Sequence, residues 1–353
     1  MPGSEARIAQ GALEGLAARA FFALGVPEAE AGQAAEVLVL AEMMGISTHG
    51  IARAATYGKR LASGGIDAGA RIESTRIAPA LVQLDGGNGL GPAVGARALS
   101  TAMESAWETG VGVTLCRGAN HFGAVAPYCW QACEAGFAAM VMSNTTPLIA
   151  PTGGRTPAVG NNPIGFGFPG PEGRHVIVDM AISVAARSHI RRAAEAGEPI
   201  PDGWATDSEG QPTRDAAAAM RGMLMGIGGH KGYGLALAVD MLAGVLSGAA
   251  FLTDVADLSR EPGASQNLGH AFILIDVSRL LNAAELAERM DRARAMLTSI
   301  MPVDPDSPVR LPGDRALARM RRAQTEGIAV PGRVLDDLRA LANGKEEVPR
   351  PLD

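Results

Sequence analysis

Residues 117–168 read RGANHFGAVAPYCWQACEAGFAAMVMSNTTPLIAPTGGRTPAVGNNPIGFGF. In order they give a polar group (Arg117, Asn120, His121), an amphipathic helical segment, a short apolar run and two stretches crowded with Gly, Pro, Asn and Thr. Residues of that last kind between apolar segments read as turns. Loops held on a rigid scaffold are also where ligands bind. Here helix and strand patterns alternate, and the rest of the chain is read outward from that alternation.

Upstream, VGVTLC (111–116) reads as a strand and 92–108 as a helix. RIAPALVQLDGGNGLGP from residue 76 reads as one strand ending in a Gly-rich turn. Residues 5–44 carry two Ala-rich amphipathic helices broken at Gly25-Val26-Pro27, the second stopping at Gly45. Arg53, Tyr57 and Arg60 then fall at spacings of four and three, on one helical face. Downstream, 137–144, 174–181 and 270–280 read as strands, with helices over 183–196 and 283–299. Residues 197–215 read as a loop, and 230–250 as one long buried helix. An extended loop leads into a basic helix past residue 313, and the polar tail GKEEVPRPLD is expected to fray. Strands alternating with helices between helical ends argue an α/β domain with a helical partner built from both termini.

At 353 residues the chain can hold two compact units. A net charge of −6 gives no basic footprint for nucleic acid, so any anion must be met by local cations. Cys116, Cys129 and Cys133 form no disulfide framework and suit a reducing compartment; no signal peptide is evident. The apolar run 232–251 raises the membrane question, but Asp240 in its middle favours a core helix. The expectation is a cytoplasmic protein.

The literal G-x-G-x-x-G, GFGFPG at 165–170, contains Pro169 and opens no helix, so it is rejected as a dinucleotide fingerprint. Walker, HExxH and G-x-S-x-G patterns do not occur, and no metal-ligand set is seen. Histidines with hydroxyl and cationic neighbours remain. Thr48-His49 with Arg53 four residues on makes a kit for carbonyl reduction beside a carboxylate. The imidazole passes a proton near neutral pH, the hydroxyl orients it, and the guanidinium fork holds the acid. The same spacing also fits a capping histidine and a solvated arginine. His121 follows a strand's C-terminal end; His175 and His270 begin strands and read as structural.

Together, GISTHGIAR with Tyr57, NHFGA, SNTTPLIAPTGG, GNNPIGFGFP, VDMAIS, GGHKGYGLALAVD, GHAFILID and LPGDRA resemble the malate/L-lactate dehydrogenase family that lacks a Rossmann fold. That family includes malate, lactate, sulfolactate and ureidoglycolate dehydrogenases, diketogulonate reductases and piperideine/pyrroline-2-carboxylate reductases. The resemblance spans about residues 5–335. It implies a mixed, largely antiparallel sheet flanked by helices, in a homodimer with the active site near the interface. It also implies a division into 1–75 (helical part of a substrate and dimer domain), 76–280 (nicotinamide-binding α/β domain) and 281–353 (helices returning to the first).

By the same resemblance His49 is the proton donor or acceptor with Thr48 as relay, and His121 is itself the acceptor in some members. Arg53, Asn161, Arg187 and Ser188 fall at substrate-contacting positions. His121, Phe122, Gly123, Ala124 and Val125 match a cofactor segment, as do Asp179-Met180-Ala181, Lys231 and Gly313-Asp314-Arg315. Three departures touch the substrate side. Thr48 replaces the usual serine, Asn161 stands where many members have threonine, and His189 sits at a catalytic position that is lysine in hydroxy-acid members and aspartate in imine reductases. The expected activity is NAD- or NADP-dependent hydride transfer to a small 2-keto acid, or from the 2-hydroxy acid. The alternative is reduction of a cyclic imine carboxylate.

Overall fold

The computed structural model describes residues 5–344 apart from 259; of the expected fraying tail, all but Gly344 lies outside the described residues. Strand β1 (Glu5–Ile8) precedes helices α1 (Gln10–Ala23) and α2 (Glu28–Met43), and a 3-10 turn at Ser47–His49 leads to α3 (Arg53–Ala62). Then come β2 (Glu73–Ala78), β3 (Leu81–Asp85), α4 (Gly91–Thr109), β4 (Val111–Ala119), α5 (Ala126–Glu134) and β5 (Phe137–Ser143). A small pair, β6 (Pro147–Ile149) and β7 (Val159–Gly160), is followed by β8 (Ile164–Phe168), β9 (Val176–Met180) and α6 (Arg187–Ala196). The chain continues through β10 (Ala205–Thr206), β11 (Pro212–Thr213), α7 (Ala216–Arg221) and α8 (His230–Val239). It ends with β12 (Leu268–Asp276), α9 (Ala283–Thr298), α10 (Asp314–Glu326), β13 (Ile328–Pro331) and α11 (Gly332–Ala342).

Seven strands form one sheet in the order β2-β3-β4-β12-β5-β8-β9. Among the described residues its one parallel neighbour pair is β3–β4, which the long helix α4 joins, as a parallel crossover requires. The other neighbours are antiparallel. This is the mixed, largely antiparallel sheet the resemblance implied. Helices α4 and α5 pack on the sheet, α2 on both of them, α1 on α2, and α11 on α1 and α3. One apolar core runs from Leu13 and Leu38 through Ala98 and Val125 to Phe272 and on to Leu338. No described helix is long and apolar enough to cross a membrane.

Several expectations are corrected. The single strand expected from residue 76 is a hairpin, β2 turning into β3 at Pro79-Ala80. The described residues open with β1, which pairs antiparallel with β13 and so ties the first helices to the last. The 183–196 helix starts only at Arg187, and the 197–215 loop carries the short β10–β11 pair. The expected 230–250 helix is α8 followed by a π-helical turn at Asp240–Val245, with Leu246 63% exposed rather than buried. The widened turn accommodates the buried Asp240 carboxylate, which accepts from Leu252 N (3.1 Å) and Asn162 Nδ2 (3.0 Å).

The Gly-rich IGFGF, read as loop, is strand β8. Its glycines serve close packing rather than turning. A Cβ on Gly165 would lie 2.7 Å from Val125 Cγ2 and 3.0 Å from Cys129 Sγ, and one on Gly167 would lie 2.8 Å from Cys133 Sγ. Helix α5 therefore sits directly on the bare strand, which explains both cysteines as packing residues. Gly165→Val is expected to cost about 1–3 kcal/mol by overpacking. Thermal unfolding should show a Tm several degrees lower; an unchanged Tm would mean that α5 can lift off β8 freely.

Candidate active site

Helix α2 ends with Gly45 at φ +78°, the left-handed position that closes a helix, and the chain turns at once into Ser47–His49. Glu42, in the last turn of α2, accepts from Ile51 N at 3.1 Å and so braces this turn from behind. Burial raises the Glu42 pKa. Thr48 Oγ1 lies 3.0 Å from His49 Nδ1, and Arg53 Nε donates to Thr48 O at 2.7 Å. No carboxylate pairs with Arg53 among the described residues, so its charge is open to an outside anion. Burial, and then the Arg53 charge, lower the His49 pKa to about 4.

His121 arrives from the end of β4, and its ring centroid lies 5.4 Å from that of His49. Tyr57 Oη, from α3, lies 2.8 Å from His121 Nδ1. One turn on, Arg60 is 1% exposed and donates to Asn120 Oδ1 (2.8 Å), Gln266 Oε1 (3.0 Å), Gly65 O (3.0 Å) and Ala264 O (2.7 Å). Gln266 Oε1 also accepts from His121 N at 3.2 Å. The face bearing Arg53, Tyr57 and Arg60 thus supplies one outward cation, one hydroxyl on His121 and one buried brace. Phe122 stacks on the buried His270 at 4.1 Å, and Tyr128 Oη donates to Phe122 O at 2.7 Å. Gly123, at φ +90°, turns the backbone where a side chain would be strained.

These groups line one open cavity of ≈ 1990 Å³. It collects Thr48, His49, Arg53, His121 to Val125, Asn161, Asp179, Ala181, Arg187, Ser188, Gly313 and Arg315. Thr145 Oγ1 donates to Asn161 Oδ1 at 2.9 Å, and Thr145 N to Asn162 Oδ1 at 2.9 Å, which links the cavity wall to Asp240 through Asn162. Asp179 Oδ2 accepts from Ala126 N at the start of α5, and desolvation raises its pKa to about 6. Arg187 Nη2 donates to Met220 O at 2.8 Å. Lys59, Arg60, Arg155, Arg191, Arg192, Arg221, Arg260 and Arg310 add to the lining against Glu42, Asp179, Glu195 and Asp257, so an acidic protein has a cationic cavity.

Four singled-out residues stand apart from this wall. His189 faces Trp204, with ring centroids 6.2 Å apart, on the side of α6 away from the cavity. Lys231 is exposed at the start of α8, and Met180 packs into the cluster of Met142, Ile164 and Ile182. Asp314 pairs with Arg294 (2.8 Å) and accepts from Leu311 N (2.9 Å), fixing the turn that presents Gly313 and Arg315. Arg117 pairs with Asp85, and His175 with Glu134. Gln266 and Glu42 were missed as site residues; their partners lie at 145 and 9 residues' separation, and neither carries a local motif.

A histidine–arginine pair thus opens on a large cationic cavity beside a largely antiparallel sheet that is not the parallel Rossmann sheet. The sequence profile of the malate/L-lactate dehydrogenase family matches residues 8–339. The chain is 33% identical to a malate dehydrogenase of Pyrococcus abyssi, covering 95% of this chain and 94% of that protein. It is 35% identical to an L-sulfolactate dehydrogenase of Methanothermobacter thermautotrophicus, covering 91% and 92%. The crystal structure of the Δ1-piperideine-2-carboxylate reductase from Pseudomonas syringae pvar. tomato superposes with a TM-score of 0.86 at 32% identity, covering 95% of this chain and 99% of that one. The chain belongs to the malate/L-lactate dehydrogenase family and is an NAD(P)-dependent oxidoreductase.

Proposed function

We propose that the protein transfers a hydride between NAD or NADP and C2 of a small 2-hydroxy/2-keto acid. The observation that carries this reading is Thr48-His49 and Arg53 joined in one hydrogen-bonded turn, facing His121 across 5.4 Å. In the oxidation direction His49 takes the proton of the C2 hydroxyl, and Arg53 holds the carboxylate of the acid in its fork. Thr48 orients the imidazole through Nδ1 and leaves Nε2 for the substrate. Asn161 and Ser188 complete the substrate wall, and Arg187 supplies positive charge beside them.

The cavity fits a dinucleotide: it exceeds the ~300–1,000 Å³ of ordinary ligand pockets and is lined by an excess of cations. His121 to Val125, Asp179, Ala181, Gly313 and Arg315 would hold it, with Gly123 keeping the backbone free of a side chain. When bound, the nicotinamide supplies the hydride acceptor or donor. The likeness to a piperideine-carboxylate reductase supports a second reading, reduction of a cyclic imine carboxylate, which needs the same arginine and a proton for nitrogen.

The test is absorbance at the reduced-nicotinamide band with NADH and NADPH in turn, offering pyruvate and oxaloacetate beside the cyclic imine of lysine's keto acid. Consumption with a keto acid is expected. Consumption with the imine alone moves the protein to the second reading, and failure to bind either cofactor sinks both. A homodimer is proposed on the resemblance, supported by the apolar Leu246 and Phe251 left open beyond α8; a one-protomer mass by light scattering would remove it. A cytoplasmic location is proposed from the three free, buried cysteines, and recovery of the native enzyme outside the cytoplasm would count against it.

A further inference from the structure

Two histidines share the cavity wall, and the surroundings of their Nδ1 atoms differ. His49 Nδ1 meets the hydroxyl of Thr48, an exposed residue whose hydroxyl proton can turn to water. His121 Nδ1 meets the hydroxyl of Tyr57, a side chain 1% exposed, and among the described residues that hydroxyl has no second hydrogen-bond partner. A phenol has a proton to place. If His121 Nδ1 carried its own hydrogen and donated it to Tyr57, the tyrosine proton would be stranded in the core without an acceptor. If Tyr57 donates, both groups are satisfied. Loss of the tyrosine proton is no escape, because burial holds the Tyr57 pKa well above its ordinary value.

The imidazole is held against reorientation as well. Arg60 fixes Asn120 and Gln266, and Gln266 holds the His121 backbone N–H, so ring and main chain of His121 are both set from α3 or its buried brace. The charged and titratable groups facing the ring are Arg53, His49, His270 and Arg60, none of them anionic, and with burial they keep it neutral.

We propose that Tyr57 donates to His121 Nδ1 and locks the imidazole as its Nε2–H tautomer, so that His121 presents a neutral hydrogen-bond donor to the cavity while His49 carries the substrate proton. Tyr57 is then a positioning residue, acting through His121. A neutral imidazole N–H of this kind polarises a carbonyl oxygen, and its partner in the cavity is the oxygen on C2. The assignment of that oxygen rests on the dehydrogenase reading; the tautomer does not.

The tautomer is read by long-range 1H–15N correlation on the full-length protein with 15N-labelled histidine, without substrate or cofactor. The chain has six histidines, and the His121 signals are assigned by their loss in His121→Gln. The wild type is expected to show Nε2–H and a bare, hydrogen-bonded Nδ1. In Tyr57→Phe the lock is gone: His121 is expected to sample both tautomers, and kcat to fall roughly tenfold, the worth of one oriented hydrogen bond, with little change in KM. His121→Gln, which keeps an N–H at the ε position, is expected to retain clearly more activity than His121→Asn or His121→Ala. An Nδ1–H or imidazolium signal in the wild type overturns the proposal even if Tyr57→Phe does not fold. So does a His121→Gln enzyme as inactive as His121→Ala. An Nε2–H signal in a protein that binds neither NADH nor NADPH would instead sink the dehydrogenase reading and leave the tautomer standing.

Discussion

His49→Ala is expected to lower kcat by roughly 10²–10⁴-fold, the usual worth of a positioned general acid–base, in both reaction directions. The argument is local. His49 ends a 3-10 turn whose backbone is braced by Glu42 on Ile51 N, so truncating a half-buried ring leaves the turn in place. Arg53 is anchored to the Thr48 carbonyl and not to the imidazole, so the carboxylate clamp survives and KM for the acid should move little. Cofactor binding, read by protein-to-nicotinamide fluorescence transfer, should be unchanged. A variant that keeps turnover within tenfold of wild type would remove His49 from the chemistry.

The same residue sets the pH behaviour. Burial and Arg53 lower its pKa to about 4, so at neutral pH the free enzyme holds His49 as a base. Oxidation needs that neutral form. Its kcat/KM should stay flat as pH falls to about 5 and drop only as His49 gains its proton near 4. Reduction needs the protonated form, so its kcat/KM should rise about tenfold per unit as pH falls through the same range. One proton is consumed in the reduction, so the ratio of the two must change by that factor; the lowered pKa assigns the change to the reduction limb. A carboxylate seated on Arg53 offsets part of the charge that depresses His49. The acid limb of kcat in the oxidation should therefore lie above that of kcat/KM. Coincident limbs would mean that Arg53 does not hold the substrate acid.

What the sequence discloses follows the reach of its signals. Thr48, His49 and Arg53 are legible because they lie within about one turn of backbone, and the structure joins them by bonds between near neighbours. The α4, α5 and β5 segments were legible from periodicity because each buries one face in a continuous core. His121 joins His49 only through the fold: family resemblance rather than spacing named both histidines, and the contact of Tyr57 with His121, 64 residues on, was not legible at all. Gly165 and Gly167 were misread because glycine signals a turn by its backbone freedom and close packing by its missing Cβ, and composition does not separate the two. The β1–β13 pair was invisible because strands of four residues are too short for an alternation to register. Asp240 was read correctly as evidence of a protein interior, but the π-helical turn that houses it depends on Leu252 and Asn162, groups no local window contains.

Arg60→Met is expected to destabilise the fold by about 2–4 kcal/mol, the largest effect on stability foreseen for a single substitution here. Arg60 is an arginine 1% exposed, and among the described residues no carboxylate pairs with it; burial lowers its pKa to about 10, which still leaves it charged at pH 7. Carbonyl and amide oxygens satisfy it: Asn120 Oδ1, Gln266 Oε1, Gly65 O and Ala264 O, with Pro262 O more distant at 3.4 Å. Methionine fills much of the same volume but strands those acceptors, and each unpaired buried group costs about 1–3 kcal/mol less whatever water recovers. Asn120 would keep its bonds to Asn88 and Gly89, whereas Gln266 would lose its strongest tie and with it the grip on His121 N. The damage should therefore reach the site: kcat falls together with stability. Arg60→Lys separates charge from geometry, because a single ammonium cannot span acceptors that a planar fork reaches at once. Its stability by urea unfolding should lie between wild type and Arg60→Met. A loss below about 1 kcal/mol in Arg60→Met would mean that the carbonyl cluster relaxes onto water, and that His121 is held by Tyr57 alone.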